Sequence, residues 1–459
     1  MVEVHLSDTD SFTVHLEQDP LFRSTIVVIA LFDRAPDQER LREAIERATR
    51  LEPNFRRRLI PGSGPLVPGR WTDDPDFDLS WHLRRVAAPA PHDMAQVLEF
   101  ARIAGMAAFD PVRPRWEFTV IEGLQGGAAA LVMKIHHALT DGIGGIQLAL
   151  HIVDLDRRGS KRPALPTPAA GPSDGLVERA ADAVAYDLGR FVSTAMGAAR
   201  AVPAAFSEWI RHPLSFWSDV GRSVWSIGRF VRPITSTMSP VMTDRRLGWK
   251  YQTLSVPLEP LKDAARMANG TINDGFLAGL AGGLALYHRR HGAWIEELRV
   301  TMPISTRTPD DDPGGNHVTL VRFPVPLGDH DPVSRMMEID RSCRKLRHEP
   351  AIGWAQAIAG ALNVLPTGVA AGMLKHVDVL ASNVAGFEDP VFVAGARLEE
   401  FYAFGPPMGA AANVTLVSYR GEYHLGVTTD SGAVPDASMF LECLDEGFAE
   451  LLSITTESK

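Results

Sequence analysis

Short apolar runs alternate with helical periodicity along the first third of the chain. The run TIVVIALF (25–32) is rich in β-branched residues and bounded by polar groups, which predicts a buried strand. Apolar residues then recur at helical spacing over residues 37–50 and predict an amphipathic helix. Two further runs, at 118–124 and 128–137, are separated by a Gly-Gly pair and predict a hairpin of buried strands.

The pattern around these strands is less regular. Residues 71–89 predict a loop followed by a strand. Residues 143–156 predict a helix in which Ile146, Leu150 and Val153 share one face. The first part of the chain therefore combines strands with helices that pack against them.

The same alternation resumes after residue 247. Residues 261–292 predict one or two helices, and residues 436–454 predict a closing amphipathic helix. The predicted strands of this part are 250–258, 298–305, 317–327, 411–421 and 422–430. Together the two parts predict an α/β (α+β) fold of two halves, each a mixed sheet with packed helices. The predicted units are an N-terminal half (1–156), a linker with a helical crossover (157–246) and a C-terminal half (247–459).

The stretch between the halves has a different composition. Residues 157–175 are rich in Pro, Gly, Ser and basic groups, which is typical of a linker or surface loop. Residues 176–231 are mostly apolar and small, with arginines every ten or eleven positions. Three tryptophans lie in it, namely Trp209, Trp217 and Trp225. The segment is either a helical subdomain with solvated arginines or an interfacial segment that meets a lipid surface.

Composition limits the partners and the compartment. The formal net charge of the 459 residues is -10, which argues against a nucleic-acid partner. The two cysteines, Cys343 and Cys443, lack metal-ligand spacing, so we expect a reducing cytoplasm. The N-terminal residues carry acids where a signal peptide needs a basic start. Because no uninterrupted apolar run reaches ~18 residues, we expect any membrane contact to be peripheral.

The stretch LVMKIHHALTDGIGG (131–145) places titratable groups at the end of an apolar strand. Side chains alternate along a strand, so His136 and His137 point to opposite faces and have different tasks. Asp141 follows after a turn that Gly142 relaxes, and its carboxylate suits an imidazole or a cationic partner. Histidine is a suitable general base for a hydroxyl because its pKa lies near working pH.

A metal site, a hydrolase triad and a purely structural histidine pair fit the stretch less well. A zinc site needs further ligands at defined spacing, and the sequence contains no HExxH motif or second histidine cluster. A serine hydrolase needs a serine nucleophile on a strand–helix elbow, and the GxSxG match in the sequence, GPSDG (171–175), lies in the Pro- and Gly-rich stretch instead. A buried, hydrogen-bonded histidine pair does not account for the Asp-Gly that follows. We therefore predict neither a metal nor a cofactor.

The segment HHALTDG matches the HHxxxDG motif of the CoA-dependent acyltransferase superfamily, which includes chloramphenicol acetyltransferase and nonribosomal peptide condensation domains. The chain more specifically resembles the bacterial wax ester synthase/diacylglycerol acyltransferase family, in its actinobacterial branch, over nearly its whole length. Besides the motif, the blocks that carry this resemblance are LSDTDSFTVHLEQ (6–18), DPDFDL, FDPVRPRWEFTVIEGLQGG, TINDGFLAGLAGGL, MPISTR (302–307), GGNHVTLVRFPVP (314–326) and SNVAGF (382–387).

The resemblance implies two chloramphenicol-acetyltransferase-like halves and an enzyme that moves a long-chain acyl group from acyl-CoA to diacylglycerol or a fatty alcohol. It implies that His137 is the general base, that His136 supports it, and that Asp141, beside Gly142, is paired with Arg307. Asn273 is then either an oxyanion donor or the N-cap of a helix. Residues expected to contact substrate or CoA are Asp274, Trp116, Ser382 and Asn383, the last two alternatively forming an Asx-type turn. We expect a cytoplasmic protein that meets a membrane or lipid droplet peripherally.

Two departures from the family pattern bear on substrate preference. Arg115 stands where leucine is commoner in the family's block before Trp116. SNVAGF has Ala385 and Phe387 in place of two prolines. Two alternative functions stay open. One is a lipid-binding paralogue without turnover. The other is condensation on carrier-protein thioesters, which would need a separate carrier acting in trans because the chain has no room for carrier domains.

Overall fold

The computed structural model describes residues 5–62, 68–140, 142–160, 162–167, 236–305, 318–347, 355–372 and 374–454. Within these ranges the strands form a seven-stranded sheet, a six-stranded sheet and a two-stranded ribbon. Helices pack against both large sheets. The mixed α/β architecture predicted from the sequence is confirmed.

The N-terminal part supplies five strands of the first large sheet. Its elements are α1 (Asp8–Leu16), β1 (Thr25–Phe32), α2 (Gln38–Leu51), β2 (Arg57–Ile60), β3 (Arg70–Asp73), α3 (Leu79–His82), β4 (Leu83–Ala87), α4 (Met94–Met106), β5 (Trp116–Glu122), β6 (Ala129–His136), α5 (Gly142–Leu150) and β7 (Val153–Asp154). The predicted hairpin is confirmed, since β5 and β6 pair antiparallel. The apolar run 25–32 is β1, which lies beside β6 near the centre of the sheet.

The C-terminal part supplies the whole second sheet, in the order β10-β9-β11-β14-β15-β8. Its elements are β8 (Trp249–Pro257), α6 (Leu258–Met267), α7 (Ile272–Arg290), β9 (Glu297–Ser305), β10 (Val318–Pro326), α8 (Pro332–Arg347), α9 (Ala355–Leu362), α10 (Thr367–Gly372), β11 (Val379–Phe387), β12 (Phe392–Val393), β13 (Ala396–Phe404), β14 (Ala412–Tyr419), β15 (Glu422–Asp430) and α11 (Ala437–Ser453). Residues 261–292, predicted as one or two helices, fall mainly in two, α6 and α7.

Two strands from the C-terminal part complete the first sheet, whose order is β4-β5-β6-β1-β13-β12-β7. β13 pairs antiparallel with β1, so that Ala30 lies opposite Phe401. The side chains of Phe387, Val417 and Tyr419 join the same buried cluster as β1 and β6. One hydrophobic core therefore spans both parts of the chain at this point, while the predicted unit boundaries remain a prediction.

Helices α7 and α11 approach closely because glycines face each other between them. A Cβ added to Gly447 would lie 2.2 Å from the backbone nitrogen of Gly283 and 2.7 Å from the carbonyl oxygen of Gly279. Such distances leave no room for a side chain. The glycines of GFLAGLAGG thus allow α7 to be buried against α11 along most of its length.

Three local predictions are wrong. The helix predicted over 143–156 ends at Leu150, which is 59% exposed, and Val153 instead lies on β7 opposite Val393, because strand pairing replaces the next helical turn. The stretch 71–89 begins as part of β3 and contains α3 before its strand. Ser382 and Asn383 lie within β11, paired with Thr415 and Leu416, so they form no Asx-type turn.

The segment between the halves is described at its two ends, over residues 157–160, 162–167 and 236–246. Residues 162–167 run along α2, where Arg47 donates hydrogen bonds to the carbonyl oxygens of Pro163 and Ala164. Residues 176–231 lie outside the described residues, so the helical subdomain and the interfacial segment both stay predictions. Among the helices that the structure describes, none is long and apolar enough to cross a membrane.

Candidate active site

The histidine pair lies at the end of β6, between β5 and β1. His136 is the last residue of the strand and lies opposite Thr25 of β1. The chain then turns, and the backbone N–H of His137 donates to the carbonyl oxygen of Ser24 at 2.9 Å. His136 is 1% exposed, whereas His137 is half-buried. The two adjacent histidines therefore occupy different environments.

Both ring nitrogens of His136 are engaged. Its Nδ1 accepts the backbone N–H of Ala138 at 3.0 Å, so the ring proton lies on Nε2. Nε2–H donates to Oε2 of Glu17 at 2.8 Å. With an acceptor role on one side and a donor role on the other, the His136 ring is fixed in a single tautomer.

Glu17 follows directly after α1 and is enclosed by groups that favour its charged form. Its Oε1 accepts the backbone N–H of Ser24 at 2.6 Å, and Arg115 Nη1 lies 3.4 Å from Oε2. Burial raises the pKa of the Glu17 carboxyl, but His136, Ser24 and Arg115 together outweigh burial and hold that pKa below its ordinary value. Burial lowers the pKa of Arg115, and Glu17 opposes that effect. The site thus contains a half-buried carboxylate paired with a guanidinium.

The residues after the histidines begin a helix that reaches the other sheet. Gly142 is the first residue of α5, and α5 packs against β11, the strand that carries SNVAGF. Ile146 and Val384 pack against the same buried cluster. The structure therefore brings together two sequence blocks more than 200 residues apart. Asp141 and Arg307, predicted to pair, lie outside the described residues, and their pairing stays a prediction.

The Asn-Asp pair lies at the start of α7. The helix N-cap is Thr271, so the alternative that Asn273 is the N-cap is wrong. Asp274 completes a capping box, and its carboxylate accepts both the backbone N–H and the hydroxyl of Thr271 at 2.7 Å. The amide nitrogen of Asn273 lies 3.6 Å from the sulfur of Met302, in the MPISTR block. A helix-start role for Asp274 is therefore established by geometry.

Trp116 is a packing residue in the structure. Its side chain is 0% exposed, and its indole N–H donates to the carbonyl oxygen of Phe55 at 2.8 Å. Its ring stacks on His82 with centroids 4.5 Å apart, and His82 stacks in turn on Phe77. Ser382 is half-buried and Asn383 is exposed on β11. Phe387 is 9% exposed and packs near Phe401 in the core.

Comparison with known proteins identifies the family. The family model described as the wax ester synthase/diacylglycerol acyltransferase catalytic domain matches residues 6–276, and that described as the WS/DGAT C-terminal domain matches residues 314–452. The chain belongs to the wax ester synthase/diacylglycerol acyltransferase family. Membership confirms the resemblance predicted from the sequence blocks, and it makes the chain an acyltransferase.

Relatives from actinobacteria share most of the chain. A Mycobacterium tuberculosis protein provisionally named a diacylglycerol O-acyltransferase is 33% identical over 445 residues, covering 95% of this chain and 89% of its own. A similarly named Mycobacterium bovis protein is 27% identical, with 93% and 90% covered.

Solved structures share the fold. The wax ester synthase/diacylglycerol acyltransferase of Marinobacter aquaeolei VT8 superposes with a TM-score of 0.65 at 22% identity, covering 98% of each chain. The first condensation domain of the calcium-dependent antibiotic synthetase gives a TM-score of 0.60 at 13% identity, with 98% and 96% covered. The fold predicted from the resemblance is thus confirmed.

Sequence reasoning missed Glu17 in this family member. The residue lies within the block LSDTDSFTVHLEQ, which contributed to the resemblance, but no local pattern connects it with a histidine 119 positions later. Ser24 directly precedes the run 25–32 that predicts a buried strand, and its contact with Glu17 was missed as well. The signal that could have pointed to Glu17 is its place in a family block, directly after α1.

Proposed function

We propose that this chain transfers a long-chain acyl group from acyl-CoA to the hydroxyl of diacylglycerol, with long-chain alcohols as further acceptors. Family membership supports the reaction class. The names of its actinobacterial relatives support diacylglycerol as the acceptor. The HHALTDG block is intact, and the turn of residues 136–140, called the histidine turn below, is ordered. Both observations argue against a binding protein without turnover.

The general base in this proposal is His137. The observation that carries the assignment is the state of its neighbour, since both His136 nitrogens are engaged by Ala138 and Glu17. Accepting a proton at Nδ1 would replace the Ala138 hydrogen bond with a clash between two donors. Of the two histidines, His137 is therefore the one suited to proton transfer.

The reaction proceeds in two proton-coupled steps. The His137 imidazole takes the proton of the acceptor hydroxyl while the oxygen attacks the thioester carbonyl carbon, which forms a tetrahedral oxyanion. The carbonyl re-forms as the carbon–sulfur bond breaks, and the imidazolium returns the proton to the CoA sulfur. The products are an ester and free CoA. Asn273 is the proposed donor to the oxyanion, and an amide N–H is suited to that task.

Water-insoluble acceptors require the enzyme to meet a lipid surface, and we propose peripheral association with a membrane or lipid droplet. The segment 176–231, with three tryptophans among basic residues, is the proposed contact. Flotation with phospholipid vesicles tests it. Changing Trp209, Trp217 and Trp225 together to Ser is expected to abolish flotation, and unchanged flotation would rule this segment out.

The function itself is tested by thiol release from palmitoyl-CoA with an acceptor panel of diacylglycerol, hexadecanol and water alone. We expect release that depends on the lipid acceptor and falls by about 10²- to 10⁴-fold in His137→Ala, the range for a general base. Release that is independent of acceptor, or equal in the two proteins, would overturn the proposed function. Lipid that co-purifies one to one without turnover would favour the binding protein instead.

A further inference from the structure

Glu17 occupies an unusual position for a carboxylate. It is the residue directly after α1, yet its side chain reaches the end of β6, 119 residues later in the chain. Its side chain is 18% exposed, and no local hydrogen bond of α1 accounts for this orientation, since the α1 C-cap contacts of Glu17 are made by its backbone N–H. The carboxylate is instead directed at the histidine turn.

The two oxygens of this carboxylate contact different strands. Oε2 accepts the proton of His136 Nε2 on β6, and Oε1 accepts the backbone N–H of Ser24, just before β1. The carbonyl oxygen of the same Ser24 accepts the backbone N–H of His137. Ser24 is fully buried, so this backbone bridge is shielded from water.

Both flanks of His137 are therefore connected to one carboxylate. On one side, the Glu17 carboxylate accepts the backbone N–H of Ser24, and the carbonyl oxygen of Ser24 accepts the peptide N–H of His137. On the other side, Glu17 holds the His136 ring, whose Nδ1 holds the peptide N–H of Ala138. The His137 backbone is fixed at its own nitrogen and at the next one.

We propose that Glu17 is a positioning residue of the acyl-transfer centre, which orients the His137 backbone through Ser24 and through the ring of His136. The inference rests on the proposed role of His137 as base. Glu17 touches neither substrate in this role, and it acts by holding the turn that presents the imidazole. Placement of a base matters because a displacement of ~1 Å is enough to slow an enzyme about 100-fold.

Arg115 completes this arrangement. Its Nη1 lies 3.4 Å from Oε2 of Glu17 and 3.2 Å from Nε2 of His136. Because Nε2 already carries a proton, the guanidinium acts on the carboxylate, whose charge it balances. The arginine that replaces the family's commoner leucine thus stabilises the ionised form of Glu17.

The test compares Glu17→Gln with Asp19→Asn as a matched control. A glutamine has one acceptor oxygen, so it satisfies either Ser24 or His136 and turns an N–H towards the other donor. Asp19 lies two residues further on and accepts the N–H of Leu21 while pairing with Lys375, away from both histidines. Each variant replaces a carboxylate that accepts a backbone N–H and also contacts a second side chain. Only the carboxylate of Glu17 contacts the histidine turn.

The measurements for each variant are kcat and KM with palmitoyl-CoA and diacylglycerol, the thermal stability, and the ¹⁵N–¹H spectrum of histidine-labelled protein. Glu17→Gln is expected to lower kcat about 10- to 100-fold, with both KM values within about twofold, and to shift the signals of the His136 ring. Asp19→Asn is expected to leave kcat unchanged. A Glu17→Gln protein that is less stable but keeps its kcat and its His136 signals would overturn the proposal.

Failure of the proposed function is distinguished by the unmodified protein. If the unmodified chain releases CoA without depending on a lipid hydroxyl, the proposed reaction fails whatever Glu17 does. If the unmodified chain is active, His137→Ala is inactive and Glu17→Gln matches Asp19→Asn in kcat, the reaction stands and the positioning role is wrong.

Discussion

His136 and Glu17 are joined by a hydrogen bond of 2.8 Å between Nε2 and Oε2, across 119 residues of sequence. The bond leaves the first histidine of the motif with a structural task. It also connects the end of α1 with the end of β6, two elements that meet only in the folded chain. The different tasks proposed for the two adjacent histidines rest on this contact together with the Ala138 N–H that His136 Nδ1 accepts.

Replacing His136 separates its two contacts. In His136→Gln the amide nitrogen takes the place of Nε2 and still donates to Glu17, whereas in His136→Asn the amide oxygen takes the place of Nδ1 and still accepts from Ala138. Both variants are expected to retain part of the activity. His137→Gln is expected to lose about 10²- to 10⁴-fold in kcat, as for a lost general base. Steady-state kinetics of the three variants shows which histidine is the general base. An inactive His136→Gln beside an active His137→Gln would assign that role to His136.

Glu17 gives the protein a defined acid sensitivity. Its pKa in the fold lies below the ordinary 4.5, so its ionised form stabilises the fold at pH values above 4.5, and this stabilisation is lost as pH falls through the folded pKa. The groups in contact with it are His136, Arg115 and the N–H of Ser24. We expect the free energy of unfolding of Glu17→Gln to lie about 1–3 kcal/mol below that of the unmodified protein at neutral pH.

Denaturant titrations at pH 7, 5.5 and 4 measure this difference. It is expected to be equal at the two higher pH values and to narrow below about pH 4.5. His136 and the N–H of Ser24 lower the pKa of Glu17 most, and Arg115 adds to their effect, so in an Arg115→Leu background the narrowing is expected to begin at slightly higher pH. A difference that changes between pH 7 and 5.5 would show that another group controls it.

Variants of Trp116 test whether its side chain packs in the core or contacts the substrate. Trp116→Phe removes the indole N–H that bonds Phe55 and keeps a ring against His82, so we expect a loss of about 1–3 kcal/mol in unfolding free energy. Trp116→Ala is expected to cost about 3–5 kcal/mol. In Trp116→Phe the KM for palmitoyl-CoA is expected to be unchanged. A raised KM at unchanged stability would instead indicate that the indole contacts the substrate.

The glycine contact between α7 and α11 can be tested by adding a methyl group to it. Gly447→Ala places a methyl group 2.2 Å from a backbone nitrogen, and we expect a loss of about 1–3 kcal/mol or more because neither helix can yield locally. Gly368→Ala on α10 is the control, since no heavy atom of the described residues lies within 4 Å of its added Cβ. That control is expected to stabilise the protein slightly through helix propensity. Equal melting temperatures for the two variants would contradict the close approach.

The sequence predicted the bounds of two strands in full. The run 25–32 is β1 and the run 422–430 is β15, because β-branched residues bounded by turns leave few alternatives. Helix ends were less well predicted. The apolar spacing of Ile146, Leu150 and Val153 continues past the point where pairing of Val153 with β12 ends the helix.

Contacts between distant segments were beyond local patterns. Nothing in the period of residues 396–404 indicates that β13 pairs with β1 in the first sheet, since an apolar strand fits either sheet. The same is true of Glu17, whose contacts with Ser24 and His136 form only in the folded chain. The histidine pair was predicted because its chemistry is contiguous in sequence, and its supporting carboxylate was missed because that residue is not.

The central claim is that His137 takes a proton from a lipid hydroxyl that attacks acyl-CoA. Its most direct test measures labelled triacylglycerol and free CoA together, from radiolabelled palmitoyl-CoA and diacylglycerol, for the unmodified protein, His136→Gln and His137→Ala. We predict triacylglycerol and CoA in equal amounts, reduced in His136→Gln and about 10²- to 10⁴-fold lower in His137→Ala. Triacylglycerol formed by His137→Ala at the unmodified rate, or CoA released without a matching ester, would contradict the claim.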